Sequence, residues 1–200
     1  MSRYAFFGGS FNPPSMAHKT CATRIVDEMK LDKLFFVPVG DSYQKTGLIN
    51  EKHRYNMLKL ICEGNKKLDV YDIELNKNIN FKAIDVFKII KNNFKDDEIY
   101  YVMGADNFIN ILSWKNSDEL IKDYKYILLN RDDINLENEI MMNDKLYKNR
   151  DNFYISNEFK KMSISSSDIR KEVRSRDKAV INELIDEKVL QYIEQNNLYL

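Results

Sequence analysis

Apolar and polar positions along the chain follow two rhythms. Short apolar runs of strand length recur at residues 4–7, 33–37, 68–73, 98–103, 126–129 and 152–155. Between them, apolar residues return every three or four positions. Ala22, Ile25, Val26 and Met29 form one such stripe, Met57, Leu58, Ile61 and Cys62 a second, and Ala83, Phe87, Ile90 and Phe94 a third. The first rhythm predicts buried strands and the second amphipathic helices. Two further short helices are expected near residues 107–112 and 117–122. Strand and helix alternating in this way predict an α/β fold, a Rossmann-like doubly wound parallel sheet of about five to six strands with helices on both faces. Ligands of such sheets sit beyond the carboxyl ends of the strands. Gly8, Pro38 and Gly104 each end a strand and are expected to line one edge. Residues 76–80 read as a polar loop. Residues 132–150 mix charges with scattered apolar positions and are expected to be a mobile stretch without assigned elements. No repeat or linker divides the chain, so residues 1–200 are expected to form one domain.

The most informative break in the pattern falls at residues 8–18. The apolar run Tyr4-Ala5-Phe6-Phe7 is stopped by Gly8-Gly9, and Pro13-Pro14 excludes both strand and helix interior. Ser15 stands where an N-cap belongs, which places His18 in the first turn of the helix that follows. Strand, glycine turn and helix N-terminus together make a site for phosphate, because the first helical N–H groups lack intrahelical partners. An imidazole there can donate to a phosphate oxygen that gains charge during displacement. A local hydrogen bond would explain a solitary helix histidine, but the glycines and prolines just upstream favour the phosphate role.

Composition narrows the alternatives. Lys and Arg number 31, as do Asp and Glu, so nothing suggests bulk attraction to nucleic acid or acidic membranes. Cys21 and Cys62 have neither metal-ligand nor disulfide-framework spacing, which fits buried thiols in a reducing compartment. The first ten residues lack the apolar core of a signal peptide, and no apolar run approaches the roughly 18 residues of a membrane span. A soluble cytoplasmic protein is expected.

Three further stretches carry candidate chemistry. Pro38-Val39-Gly40-Asp41-Ser42-Tyr43-Gln44-Lys45-Thr46-Gly47-Leu48-Ile49 is a turn-rich loop presenting one lysine, followed by His53-Arg54. Gly104-Ala105-Asp106 follows a strand, placing a carboxylate where it can accept from ribose hydroxyls. Trp114, the only tryptophan, is flanked by Lys115, Asn116 and Ser117, so a semi-exposed platform is expected rather than a core ring. In Ile164-Ser165-Ser166-Ser167-Asp168-Ile169-Arg170, Ser165 and Asp168 have the form of a capping box. Capping alone would account for the serines; with Arg170 they would also make a phosphate clamp.

Taken together, these stretches resemble a known family. Gly9-Ser10-Phe11-Asn12-Pro13 with Ser15-x-x-His18 resembles the first motif of the adenylyl- and cytidylyltransferase superfamily, G-x-F-x-P-x-H-x-G-H. The likeness is greatest to the nicotinamide mononucleotide adenylyltransferases of eukaryotic type, with Ser15 at the first histidine and Ala17 at the glycine. Residues 38–57 resemble that family's P-V-G-D-x-Y-x-K-x-G-L-I-x-x-x-H-R-x-x-M segment. Residues 104–106 resemble its G-A-D motif, 164–170 its I-S-S-T-x-I-R signature and 189–199 its C-terminal helix.

The resemblance implies a single nucleotidylyltransferase domain, whose C-terminal helical part begins near residue 163, and transfer of AMP from ATP to nicotinamide or nicotinate mononucleotide with release of pyrophosphate. It implies His18, Lys45 and Arg170 as catalytic residues. For ATP it implies Gly8, Gly9, Ser10, Phe11, Ser15, His18, Lys45, Gly104, Asp106, Ser165, Ser166, Ser167 and Arg170. Phe81, Leu112 and Trp114 are implied for the pyridine mononucleotide. No carboxylate cage is visible, so Mg²⁺ is expected on the phosphates rather than in a protein metal site. Oligomeric state is left open, a homo-oligomer included, as is the choice between amide and acid on the pyridine. Two other readings compete: a sister enzyme with a different phosphorylated acceptor, and a non-catalytic nucleotide-binding paralogue, for which Ser15 in place of histidine is the motive.

Overall fold

The computed structural model describes residues 1–75, 79, 81–130, 134–156, 166–175, 181 and 183–200. Strands β1 (Arg3–Gly9), β2 (Lys33–Pro38), β3 (Leu68–Val70), β4 (Glu98–Gly104), β5 (Lys125–Leu129) and β6 (Phe153–Ser156) form one six-stranded sheet. Its order is β3-β2-β1-β4-β5-β6, its strands are parallel, and helices surround it. This is the α/β Rossmann-like architecture that the alternating pattern predicts. The chain divides into two compact units, residues 1–8 with 81–163 and residues 9–80 with 164–200.

In the first unit, β1 pairs with β4 in the register Phe7↔Val102, β4 with β5, and β5 with β6. Ala5, Phe6 and Phe7 are buried in succession, as parallel strands covered on both faces require. The helices described here are α3 (Ala83–Asn93), α4 (Ala105–Phe108), α5 (Ser117–Asp123), α6 (Leu136–Met141) and α7 (Asp144–Lys148). An aromatic cluster fills the interior. Phe87 stacks on Tyr101 at 3.6 Å, the Tyr101 hydroxyl donates to Phe87 O at 2.9 Å, and Tyr126 donates to Leu120 O at 2.7 Å. Burial holds both phenols well above their ordinary pKa, so each remains a donor. At the amino end of the strands, Lys125, Tyr100 and Arg3 all engage Glu98. Lys125 contributes most to lowering its carboxyl to about 2.

The second unit contains α1 (Met16–Glu28), α2 (Glu51–Cys62), β2 and β3, and later α8 (Ser166–Ser175) and α9 (Glu187–Gln195). Cys21, Ala22, Ile25 and Val26 bury one face of α1, while Met29 is its C-cap. Helix α2 buries Met57, Leu58, Ile61 and Cys62 as its stripe predicts, and Arg54 as well. Cys21 and Cys62 are buried thiols outside any disulfide, and burial pushes Cys62 up to about 12. The Tyr192 hydroxyl of α9 accepts from Asn56 Nδ2 at 2.9 Å and is hydrogen-bonded to His53 Nδ1 at 2.9 Å, and so ties α9 to α2.

Several expectations need correction. Strand β3 stops at Val70 instead of reaching Ile73, because the chain turns at residues 73–75 and buries Ile73 and Leu75 from that turn. The helix expected at 107–112 is split: Gly104 caps α4, which ends at Phe108, and a separate 3₁₀ turn spans Ile111–Ser113. Helix α3 buries Ile90 of the predicted stripe and packs Phe87 on Tyr101 and Phe94 on Phe6, and it buries Ile84 and Val86 as well, so its inward face is broader than the stripe. The expected mobile stretch holds α6 and α7, which bury Leu136, Ile140 and Leu146. Among the described residues, no helix is long and apolar enough to cross a membrane.

Candidate active site

The loop joining β1 to α1 is shaped by its own residues. Phe11 has φ 44, a left-handed backbone that bulky side chains rarely adopt. Its ring is fully buried, edge-on to Phe36 at 5.5 Å and to His18 at 5.2 Å, which holds the strained backbone in place. A Cβ on Gly9 would stand 2.9 Å from that ring, so glycine there lets the ring fold back over the chain. At Gly8 a Cβ would meet nothing within 4 Å, and the residue is exposed.

Ser15 caps α1 as its position predicts, and His18 completes the cap. Ser15 N–H donates to His18 Nδ1 at 3.0 Å, Ser15 Oγ lies 2.7 Å from that nitrogen, and His18 N–H reaches Ser15 Oγ at 3.4 Å. This is a capping box with histidine in the place usually taken by glutamate or glutamine. A nitrogen that accepts from a backbone N–H carries no hydrogen, so the neutral ring holds its hydrogen on Nε2. The local bond that could explain a lone histidine is present. It also sets the tautomer that leaves Nε2 a donor.

The 38–50 loop is closed by Asp41. The Asp41 carboxylate accepts from Glu51 N–H at 2.7 Å and Asn50 Nδ2 at 2.6 Å, while Glu51 Oε2 accepts from Asp41 N–H at 2.8 Å. Arg54, with no exposed surface, joins this loop to the β1–α1 loop. It donates to Ile49 O at 2.9 Å, Ser10 O at 3.2 Å and Asp41 Oδ1 at 3.3 Å. Burial pulls the guanidinium below its ordinary pKa, and Asp41 opposes that. Gly40 has no room for a side chain, since a Cβ would lie 2.5 Å from Glu74 O. Lys45 is exposed on a turn, and its Nζ donates to Ser10 Oγ at 3.1 Å.

Helix α8 meets the same loop from the other side of the sequence. Ser166 Oγ donates to Pro13 O at 2.9 Å, and Arg170 donates to Asn12 O at 2.7 Å and Ser167 Oγ at 3.0 Å. Ser10, Ser15, His18, Lys45, Ser166 and Arg170 thus gather on residues 10–15, although they span 160 positions of sequence. Ser165, and with it the capping box expected with Asp168, lies outside the described residues. The residues that sequence reasoning left without a role are Asn12, Asp41, Arg54 and Tyr199. Only the polar character of Asn12 and Arg54 within their motifs signals that they are more than loop.

The remaining ATP candidates, Gly104 and Asp106, and the pyridine-mononucleotide candidates belong to the first unit. Gly104 is the buried N-cap of α4, and Asp106 is exposed in its first turn. Trp114 is half-buried at the end of the 3₁₀ turn, with Lys115 and Asn116 exposed beside it, as expected for a platform. Leu112 is 38 % exposed, and Phe81 is half-buried just ahead of α3.

The model of the cytidylyltransferase-like family matches residues 6–172, and the chain belongs to that family. It is 33% identical over 201 residues to a probable nicotinate-nucleotide adenylyltransferase of Carboxydothermus hydrogenoformans, covering 99% of this chain and 98% of that protein. To the protein of the same description in Clostridium acetobutylicum it is 29% identical over 202 residues, covering all of both. Among solved structures, the nicotinic acid mononucleotide adenylyltransferase of Plasmodium falciparum complexed with NaAD shares the fold. There the TM-score is 0.79 at 22% identity, over 100% of this chain and 98% of that one.

Proposed function

We propose that this chain is a nucleotidyltransferase of NAD biosynthesis. It moves AMP from ATP to nicotinate mononucleotide or, as the alternative acceptor, nicotinamide mononucleotide, and releases pyrophosphate. The observation that carries this is the gathering of Ser10, His18, Lys45, Ser166 and Arg170 on one loop, in a chain whose end-to-end relatives bear the nicotinate-nucleotide name. That name puts the acid ahead of the amide as acceptor. The 200 residues act as one nucleotidylyltransferase domain, and two cysteines outside any disulfide suit a cytoplasmic setting.

The chemistry needs no side-chain nucleophile. A phosphate oxygen of the mononucleotide attacks the α-phosphorus of ATP, a new P–O bond forms there, and the bond to the β-phosphate oxygen breaks with its electron pair leaving on pyrophosphate. Rate then comes from positioning and from neutralising charge around the transferred group. His18, its tautomer set by Ser15, offers Nε2–H to the α-phosphate, where charge grows in the transition state. Gly8, Gly9, Ser10 and Phe11 present the loop backbone to ATP. Lys45, the first-turn N–H groups of α8 at Ser166 and Ser167, and Arg170 hold the outer phosphates. Gly104 and Asp106 take the ATP ribose, and Phe81, Leu112 and Trp114 the pyridine mononucleotide, with Trp114 stacking on the ring. The donors on residues 10–15 are cationic, amide and hydroxyl groups, which suit phosphate oxygens rather than a resident cation. Mg²⁺ therefore enters with ATP as part of the substrate.

The test is direct. Purified protein with Mg²⁺–ATP and each mononucleotide in turn should release pyrophosphate and form dinucleotide in equal amounts, faster with the acid. Absence of dinucleotide with both acceptors would contradict the assignment.

A further inference from the structure

Asn12 is 3 % exposed, and both ends of its side-chain amide are bonded to groups far away in sequence. Its Nδ2 donates to Gly47 O at 2.7 Å, and its Oδ1 accepts from Ile49 N–H at 3.4 Å and from the Tyr199 hydroxyl at 3.0 Å. Gly47 and Ile49 follow Lys45 on its turn, where Leu48 N–H donates to Lys45 O at 3.2 Å. The network closes at Ser10, two residues before Asn12, which receives Lys45 Nζ at 3.1 Å.

Tyr199 is built into this network. It is 8 % exposed, and its backbone is left-handed at φ 67. Arg174 donates to its carbonyl at 3.0 Å, one helical turn after Arg170 takes the carbonyl of Asn12 at 2.7 Å. Helix α8 therefore holds both ends of the Tyr199–Asn12 hydrogen bond. Because Asn12 Oδ1 can only accept, Tyr199 is the donor, and burial keeps its hydroxyl protonated well above the ordinary phenol range.

We propose that Tyr199 is a positioning residue for the phosphate loop. Its hydroxyl orients the Asn12 amide, which holds Gly47 and Ile49 and so places Lys45 over Ser10. It need not touch substrate. The catalytic consequence rests on the nucleotidyltransferase assignment above; the effect on loop order does not.

The test is Tyr199→Phe, which keeps the ring and removes only the donor. With the fold intact by thermal melting, amide exchange at Ile49 should speed up at least about tenfold. The kcat/KM for ATP should fall by about ten- to a hundredfold, the scale of a small misplacement of catalytic groups. KM for the mononucleotide should stay at its wild-type value. Wild-type protection at Ile49, or protection and melting temperature falling together across the whole unit, would overturn the positioning role. So would failure of Tyr199→Phe to fold, since a purely structural role would then suffice. If the wild-type protein transfers no AMP, the functional assignment fails while exchange at Ile49 still decides on Tyr199.

Discussion

Two strands of this protein end in glycine and lead to a helix, β1 through the loop of residues 10–15 and β4 directly, and the hydrogen bonds described at the two junctions differ in reach. After β1, residues 10–15 are held by partners from distant sequence: Lys45, Arg54, Ser166, Arg170 and, through Asn12, Tyr199. After β4, described hydrogen bonds between near neighbours tie residues 106–114 together. Asn110 Nδ2 donates to Asp106 O, Ser113 Oγ to Asn110 O, and Trp114 N–H to Ile111 O. In the proposed reaction the first loop meets a triphosphate, where a displacement of an ångström changes the rate, and the contacts from afar make it rigid in advance. The second presents Leu112 and Trp114 half-open on a short segment, suited to a flat ring bound by stacking.

That contrast can be broken or sharpened by substitution. The largest effect is expected at His18. His18→Ala removes a donor that acts as charge builds on the α-phosphate, so kcat should fall by about 10²–10³-fold, roughly 2.7–4 kcal/mol, with ATP affinity changed far less. Steady-state kinetics decide this, and near-normal turnover would sink the role. Next is Arg54→Ala, which leaves Ser10 O and Ile49 O without their buried donor and opens a void. Stability should fall by about 3 kcal/mol in denaturant titration. A loss below about 0.5 kcal/mol would show that the first loop does not depend on remote support.

Trp114→Ala belongs to the other loop and should leave stability nearly unchanged. It should weaken mononucleotide binding by roughly 1–3 kcal/mol, as for other ring-stacking platforms. If it unfolds the protein instead, Trp114 is a core residue. A smaller effect is read through pH. Burial raises Glu74 from 4.5 to about 7, against Gly40 N–H and Arg54, which favour its ionised form. The unfolded chain ionises first, so stability should fall as pH rises from about 4.5 to about 7 and then level off. Glu74→Gln should flatten that slope. Smallest is Ser15→Ala, which removes the cap hydroxyl while the backbone N–H still sets the His18 tautomer. It should cost about 1 kcal/mol of stability and leave most activity.

Much of this was legible in the sequence. Six apolar runs and the stripes of α1 and α2 announce the sheet and its main helices, and Ser15 announces the first cap. The failures have physical causes. Helices α6 and α7 have six and five residues, too short for a 3.6-residue period to repeat. The histidine capping box escapes notice because the expected partner at that position is a carboxylate or amide. Lys45 and Ser10 lie 35 residues apart and Tyr199 and Asn12 lie 187 apart, so their contacts arise only when the chain folds. Burial of Arg54 is hidden because arginine is almost never fully buried unless paired, and its partners are backbone carbonyls that sequence does not display.

The central claim is that the first loop directs attack at the α-phosphorus of ATP. It is tested most directly by following the label from ATP carrying ³²P at either the α or the γ position, with nicotinate mononucleotide as acceptor. The account predicts that α-label appears in the dinucleotide and γ-label in pyrophosphate, in equal molar amounts. Label released as orthophosphate with ADP, or γ-label carried into the acceptor, would contradict it.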